Sequence, residues 1–178
     1  RTGKGRFVEV AMLDAVFRIV RGPGSTGADL VDHADAIVLT GSVRTGRKVA
    51  EHAARRFIPA FLELGGKDPV IVTRSADLER AATVVLRGSI LATGQACQSL
   101  ERVYVDAAVY APFMQRLLEK ARGVRITADD PAGQVGPFIM ARQAEIVREH
   151  LADAIAKGAK IEHGGRIVER GGVWCEPT

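Results

Sequence analysis

The sequence predicts an α/β fold, and two observations carry this prediction. Short apolar runs of strand length, such as residues 36–39 and 69–72, are typical of buried parallel strands. Segments with apolar residues at spacings of three and four, such as residues 108–122, indicate amphipathic helices. Strands that alternate with helices in this way favour a parallel sheet with helices packed against it.

The first third of the chain is predicted to alternate between helices and strands. Residues 7–20 carry apolar residues at helical spacings and predict a helix that turns into a strand near residues 17–20. The elements predicted after it are a helix over residues 26–33, a buried strand over 36–39, a helix over about 43–57 and a strand over 57–62.

The remaining two thirds continue the alternation. Asp77 or Ser75 is expected to cap a helix over residues 77–93, and Gly158 is expected to end a helix over residues 142–157. The other predicted elements are strands over residues 69–72, 103–105 and 159–162, a helix over 108–122 and a turn at 136–138.

Length and composition exclude several classes of protein. The 178 residues are enough for a domain with a core, and 47% are hydrophobic. A net charge of +4 without a basic run argues against nucleic-acid binding, and no apolar run reaches the roughly 20 residues of a membrane helix. Two cysteines are too few for a disulfide framework, which favours a reducing compartment such as the cytoplasm. The four histidines show no metal-ligand spacing, so no metal site is predicted.

The turn at residues 40–46 is a candidate phosphate-binding turn, because it lies between a predicted strand and a helix. Gly41 allows close approach of the backbone, Ser42 offers a hydrogen bond, and Gly46 lets the helix lie near a ligand. The alternative is an ordinary helix cap by Ser42 or Thr40.

Glu63 and Cys97 are the candidate catalytic residues. Glu63 lies between two leucines at the end of a predicted strand, where it suits a general base. Its alternative is a carboxylate that faces water or pairs with Lys67 or an arginine. Cys97 follows a helix and a Gly-Gln turn and suits a nucleophile, whereas the alternative is a free cysteine in the core.

Two segments together resemble the aldehyde dehydrogenase superfamily. Residues 62–67, Leu-Glu-Leu-Gly-Gly-Lys, resemble its glutamate signature, and residues 94–97, Gly-Gln-Ala-Cys, resemble its cysteine signature. Their separation of 34 positions, from Glu63 to Cys97, is also that of the family. The similarity extends from about Val16 to Thr178, whereas residues 1 to about 15 match no part of the family that we recognise.

The resemblance implies a three-layer aldehyde dehydrogenase fold. Residues 1–64 would be the end of a Rossmann-like NAD(P)-binding domain, and residues 65–178 the first part of the catalytic domain, with a hinge near residues 64–66. It also implies oxidation of an aldehyde, such as succinate semialdehyde, to a carboxylate with NAD or NADP. The parent protein would be a homo-oligomer, either a dimer or a tetramer. The implied cofactor-binding residues are Gly41, Ser42, Gly46, Leu64 and Gly65, and the implied catalytic residues are Cys97 and Glu63.

The chain departs from the family at several positions. The family usually has asparagine at the position of Ala92 and an aliphatic residue at that of Cys175, which we interpret as a packing residue. The chain resembles an internal piece of a longer protein, so these residues alone are expected to be inactive. One alternative is a truncated, non-catalytic relative that serves as a structural or interaction module. Another is a Cys-Glu acyl-transfer enzyme without nicotinamide, which the turn at residues 40–46 disfavours.

Overall fold

A computed structural model of the chain describes residues 7–12, 15–20, 24–127 and 133–178. The chain divides between Gly65 and Gly66 into two compact units. Each unit contains a pair of parallel strands joined through a helix, which confirms the predicted α/β fold.

The first described segment is an antiparallel pair of strands. β1 (Phe7–Met12) pairs with β2 (Ala15–Val20) along its whole length. The strand predicted near residues 17–20 is confirmed, but the helix predicted before it is wrong. Valine and phenylalanine favour extended backbone, and pairing with β2 satisfies the backbone groups that a helix would satisfy internally.

The rest of the first unit is a β–α–β arrangement preceded by a helix. Its elements are α1 (Gly24–His33), β3 (Ile37–Thr40), α2 (Val43–Arg55) and β4 (Ala60–Glu63). β3 and β4 are parallel, with Ile37 opposite Ala60 and Thr40 opposite Glu63. Since α2 provides the crossover that parallel strands require, both strands end at the same edge.

Polar side chains join α1 to α2. Arg56 Nη1 donates to the carbonyl oxygens of Val31 and Ala34, at 2.5 and 3.1 Å, and so satisfies acceptors at the C-terminal end of α1. His52 Nε2 lies 2.7 Å from Asp32 Oδ1. His52 is thus half-buried on a helix face and paired, as expected of a structural histidine.

The end of α2 differs from the prediction. The helix was expected to reach Phe57 and the next strand to start there, but α2 ends at Arg55 and β4 begins at Ala60. Phe57 has φ of +55°, and its side chain is 98% exposed. The N–H groups of Phe57 and Ile58 donate to the carbonyls of Ala54 and Ala53, which is the Schellman pattern. A phenylalanine therefore occupies a left-handed position that usually holds glycine.

The core of the second unit forms around a second β–α–β arrangement. Its elements are β5 (Asp68–Val72), α3 (Leu78–Ile90), β6 (Leu100–Val105) and α4 (Tyr110–Arg122). The Asp77 side chain caps α3, as predicted, by accepting from the N–H groups of Glu79 and Arg80. Phe113 of α4 is completely buried against Val72 and the α3 residues that face it. The buried residues of this core are Val72, Ala82, Val85 and Phe113.

The last part of the second unit contains α5 (Arg142–Ala156) and an antiparallel hairpin, β7 (Ile167–Glu169) with β8 (Val173–Cys175). The strand predicted over residues 159–162 is wrong: these residues are irregular and exposed. The hairpin instead has a buried anchor, because Trp174 is 6% exposed and its Nε1 donates to the Arg170 carbonyl at 2.9 Å. Gly158 follows α5 with φ of +91°, as predicted for its C-terminal end.

The parallel strands are less buried than predicted. Side chains of β3 and β4 alternate between half-buried and exposed, which indicates one covered face. Val38 in β3 is 75% exposed, and Ile71 in β5 is 74% exposed. The expectation that strands 36–39 and 69–72 are fully buried is therefore wrong for the described residues, because burial on both faces needs cover on both sides of a sheet.

Candidate active site

The candidate nucleophile lies on a segment with unusual backbone geometry, residues 91–97, which we call the cysteine loop. The predicted helix over residues 77–93 ends earlier, at Ile90. Ala92, Thr93 and Gly94 follow with φ of +49°, +63° and +67°. Three consecutive left-handed residues are costly for side chains with a Cβ, and a β-branched residue such as Thr93 is the least suited to this region. The chain thus turns away from the helix axis just before the cysteine.

Side chains of the cysteine loop bond to the backbone of residues 136–139. Thr93 Oγ1 accepts from the Gly136 N–H at 3.1 Å. Gln95 Oε1 accepts from the Ile139 N–H at 3.0 Å, and Gln95 Nε2 donates to the Pro137 carbonyl at 3.2 Å. These bonds fix the loop at both sides of Gly94.

Cys97 is exposed, and its thiol donates to Gln98 Oε1 at 3.2 Å. A Cβ at Gly66 would lie 3.0 Å from the Cys97 carbonyl oxygen, so Gly66 lets the two backbones approach closely. Ser99, two residues on, is 2% exposed, and its Oγ has no hydrogen-bond partner within the described residues. An exposed thiol on a fixed loop can reach a small-molecule electrophile, whereas a core cysteine cannot.

The second cysteine has a different environment. Cys175 is half-buried in β8, and its thiol donates to the Glu176 carbonyl at 3.2 Å. Burial raises the pKa of Cys175, so its thiol is less readily ionised. The two thiols therefore differ in their access to solvent.

Glu63 is the last residue of β4 and is exposed. Its carbonyl oxygen accepts from the Gly41 N–H at 3.0 Å, which places the end of β4 beside the turn that follows β3. Lys67, considered as its ion-pair partner, has its Nζ 2.6 Å from Glu101. The structure therefore brings Glu63 together with Gly41 and Ser42 at one edge of the sheet, with its carboxylate open to solvent.

The turn after β3 ends in a capped helix. Ser42 Oγ accepts from the Thr45 N–H at 3.1 Å, so the capping role considered for Ser42 is present. The first turn of α2 contains no acidic residue and includes the exposed Arg44. A helix N-terminus with a cation and no carboxylate favours an anion.

Gly46 and Leu64, two of the predicted cofactor-binding residues, contact each other. A Cβ at Gly46 would lie 2.6 Å from Leu64 Cδ2, so the missing side chain makes room for Leu64. Gly46 is buried, and its N–H donates to the Ser42 carbonyl at 2.8 Å. Gly65, next along the chain, is exposed. This contact holds the start of α2 against the residue that follows Glu63.

The described residues contain neither a metal cluster nor a membrane-spanning helix. Within residues 7–12, 15–20, 24–127 and 133–178, no group of three or more His, Cys, Asp or Glu side chains could hold a metal ion. In the same part of the chain, every helix is too short or too polar to cross a membrane.

Sequence reasoning missed the bonds that fix the cysteine loop. Residues 136–138 were predicted only as a turn, and Gln95 only as part of a motif. The partners are more than 40 residues apart in sequence, so no local pattern pairs them. The available signal was Gly94, since glycine before a cysteine motif is compatible with a left-handed turn.

A comparison with protein-family models identifies the family of the chain. The family model described as "Aldehyde dehydrogenase family" matches residues 6–178. The chain belongs to the aldehyde dehydrogenase family. The match begins at residue 6, so the expectation that residues 1 to about 15 lie outside the family is wrong from that residue onward.

Relatives within the family include enzymes that are named for different aldehydes. A 4,4'-diapolycopene aldehyde oxidase of Methylomonas sp is 41% identical over 173 residues, which are 94% of this chain and 32% of that protein. A protein of Mycobacterium bovis with the provisional name succinate-semialdehyde dehydrogenase (NADP(+)) 2 is 40% identical over 167 residues, 92% of this chain and 32% of its own. The chain therefore spans about a third of the length of these curated relatives.

A solved structure of the family has the same fold over the matched part. The NAD-dependent aldehyde dehydrogenase from Sinorhizobium meliloti superposes with a TM-score of 0.86 at 34% identity. The match covers 91% of this chain and 33% of that protein.

Proposed function

We propose that this chain is part of an enzyme that oxidises an aldehyde to a carboxylate with NAD or NADP, and that Cys97 is its nucleophile. The observation that carries the proposal is the exposed Cys97 thiol on a loop fixed by side-chain bonds, in a chain of the aldehyde dehydrogenase family. We assign the first unit to the end of the cofactor-binding domain and the second to the first part of the catalytic domain.

Cys97 carries the covalent step. As a thiolate it attacks the aldehyde carbon and forms a thiohemiacetal, and after oxidation it holds the acyl group as a thioester. The backbone N–H of Cys97 helps to stabilise the oxyanion. Glu63 acts as general base and takes a proton from the water that hydrolyses the thioester. Its position at the end of β4, two residues before Gly65, suits a carboxylate that moves between orientations.

The turn after β3 fits the phosphates of a dinucleotide. Ser42 and the first turn of α2, which lacks acidic residues, form a positive helix end, while Gly41 and Gly65 keep the adjoining backbone free of side chains. Leu64 packs against Gly46 beside this turn. A nicotinamide dinucleotide, when bound, supplies the acceptor for the hydride.

The substrate is proposed to be a small aldehyde, with a semialdehyde such as succinate semialdehyde as the first to test. Several curated relatives carry that name provisionally. Relatives named for NAD and for NADP(+) are both among those matched, so either cofactor is consistent with the family. The whole protein is proposed to be a homo-oligomer.

Thiol labelling tests this function. The chain is treated with iodoacetamide with and without NAD or NADP, and the label at each cysteine is mapped by mass spectrometry. We expect rapid labelling at Cys97, slow labelling at Cys175, and a change at Cys97 alone when cofactor is added. A Cys97→Ser variant controls for labelling elsewhere. Slow and equal labelling of both thiols, unchanged when cofactor is added, would contradict the proposal and favour a non-catalytic module.

A further inference from the structure

We propose that Gln95 is a positioning residue, whose side-chain amide clamps the cysteine loop to residues 136–139 and holds Cys97 at the surface. The inference rests on the proposed role of Cys97 as nucleophile. It assigns Gln95 no contact with substrate or cofactor, because both polar atoms of its amide are already bonded within the protein.

The clamp is specific to an amide. Gln95 Oε1 accepts from the Ile139 N–H at 3.0 Å, while Nε2 donates to the Pro137 carbonyl at 3.2 Å. One donor and one acceptor on a planar group fix its orientation as well as its position. The bond from the Gly136 N–H to Thr93 Oγ1 adds a third attachment on the other side of Gly94.

The clamp offsets a backbone cost. Ala92 and Thr93 have φ of +49° and +63°, a region that side chains with a Cβ disfavour. Such residues keep this conformation only where their surroundings over-determine it. The hydrogen bonds of Gln95 and Thr93 provide this constraint, because they attach the loop at residues that flank or belong to the left-handed turn.

The partner segment is itself anchored. The Phe138 N–H donates to the Val173 carbonyl of β8 at 2.8 Å, and a Cβ at Gly172 would lie 3.1 Å from Pro137 Cβ. Trp174, next in β8, is buried. The cysteine loop is therefore tied to a packed hairpin rather than to a free segment.

Nuclear magnetic resonance tests the clamp directly. The one-bond Cα–Hα couplings of Ala92 and Thr93, which report positive φ, are measured in the wild type, in Gln95→Met and in the matched control Gln115→Met, at an exposed position of α4. Loss of two hydrogen bonds is expected to lower the population of the left-handed turn about fivefold or more in Gln95→Met. The control should keep the wild-type couplings. Wild-type couplings in Gln95→Met would overturn the proposal.

Alkylation then tests whether the clamp acts on Cys97. Because the clamp holds the exposed thiol in one position, redistribution of the loop changes its surroundings, and we expect its iodoacetamide rate to change about threefold or more while Cys175 is unchanged. Ala92→Gly, which removes the cost of positive φ, should restore the rate in the Gln95→Met background. An unchanged Cys97 rate despite altered couplings would make Gln95 merely structural and reject its positioning role.

A second variant covers the case in which Gln95→Met does not fold. Gln95→Glu keeps an oxygen to accept from the Ile139 N–H but places a carboxylate oxygen against the Pro137 carbonyl, so it should show a change of the same sign. None of these measurements needs a cofactor. If the labelling of Cys97 does not change when NAD is added, the proposed function is rejected. The couplings and alkylation rates of the variants can still confirm or reject the clamp.

Discussion

Ala92 has a backbone conformation that alanine disfavours. Its φ of +49° suits asparagine, which tolerates the left-handed region through its short polar side chain, whereas alanine gains nothing there. The aldehyde dehydrogenase family usually has asparagine at this position. Alanine in its place therefore makes the left-handed turn less stable.

Ala92→Asn is expected to stabilise the second unit by about 1 kcal/mol, because it lowers the cost of the left-handed turn. The measurement is the free energy of unfolding in urea. Ala152→Asn, at an exposed position within α5, is the matched control and should destabilise by about half that amount through lower helix propensity. An Ala92→Asn variant no more stable than the wild type would show that the turn costs little.

Among the elements, α2 and α5 end in the same way but with different residues. The N–H groups of Phe57 and Ile58 close α2, and those of Gly158 and Ala159 close α5, both in the Schellman pattern. The left-handed position holds Phe57 in one case and Gly158 in the other, with φ of +55° and +91°. Phe57 is also 98% exposed, so it gains no packing in the described residues.

Substitutions at these two positions should have opposite effects on stability. Phe57→Gly is expected to stabilise the first unit by about 1 kcal/mol, and Gly158→Phe to destabilise the second by a similar amount. Hydrogen exchange of the last-turn amides of α2 and α5 measures each end separately. If Phe57→Gly instead speeds exchange in α2, Phe57 has a packing role that outweighs its backbone cost.

The hairpin β7–β8 is flanked by an ion pair whose strength depends on pH. Arg166 donates to both carboxylate oxygens of Glu176, with Nη2 2.6 Å from Oε1 and Nε 2.9 Å from Oε2. The hydrogen bond from Arg166 holds the pKa of Glu176 below its usual value. A lowered folded-state pKa means that the pair stabilises the fold above the usual carboxyl pKa and loses this contribution as pH falls through the lowered one.

Glu176→Gln should therefore lower the thermal midpoint of unfolding at neutral pH and have little effect in acid below the lowered pKa of Glu176. Thermal denaturation at a series of pH values measures the difference. Glu169→Gln, at an exposed position of β7, is the control and should not change this pH dependence. Because Arg166 is exposed, the effect at neutral pH should also shrink with added salt.

Over the whole molecule, the order of strands and helices from Thr26 to Val105 was predictable, because hydrophobic spacing follows the period of each element. Boundaries failed where backbone geometry departs from a regular element, as at Phe57 and at Ala92. Neither residue has a composition signal for positive φ. Phe57 adopts it in the Schellman pattern that ends α2, and Ala92 adopts it in a loop that bonds to residues 136–139.

Burial was the other property that local patterns misjudged. Val38 and Ile71 lie in apolar runs that predict cover on both faces, yet each is about three-quarters exposed. The chain spans about a third of the length of its curated relatives, and a sheet face is buried only by the segments that pack against it. Side-chain exposure in this chain is thus a property of which segments meet, and an apolar run cannot report it.

The sequence by itself determined the family, the α/β alternation, and the candidate nucleophile and base, because motif residues and hydrophobic periods are local properties of a chain. Only the tertiary structure decided that Gln95 and Thr93 bond to residues 136–139, that Leu64 fills the space left by Gly46, and that Cys97 is exposed while Cys175 is half-buried. These features join residues that are distant in sequence. They depend on packing and hydrogen bonding between segments, which no local pattern encodes.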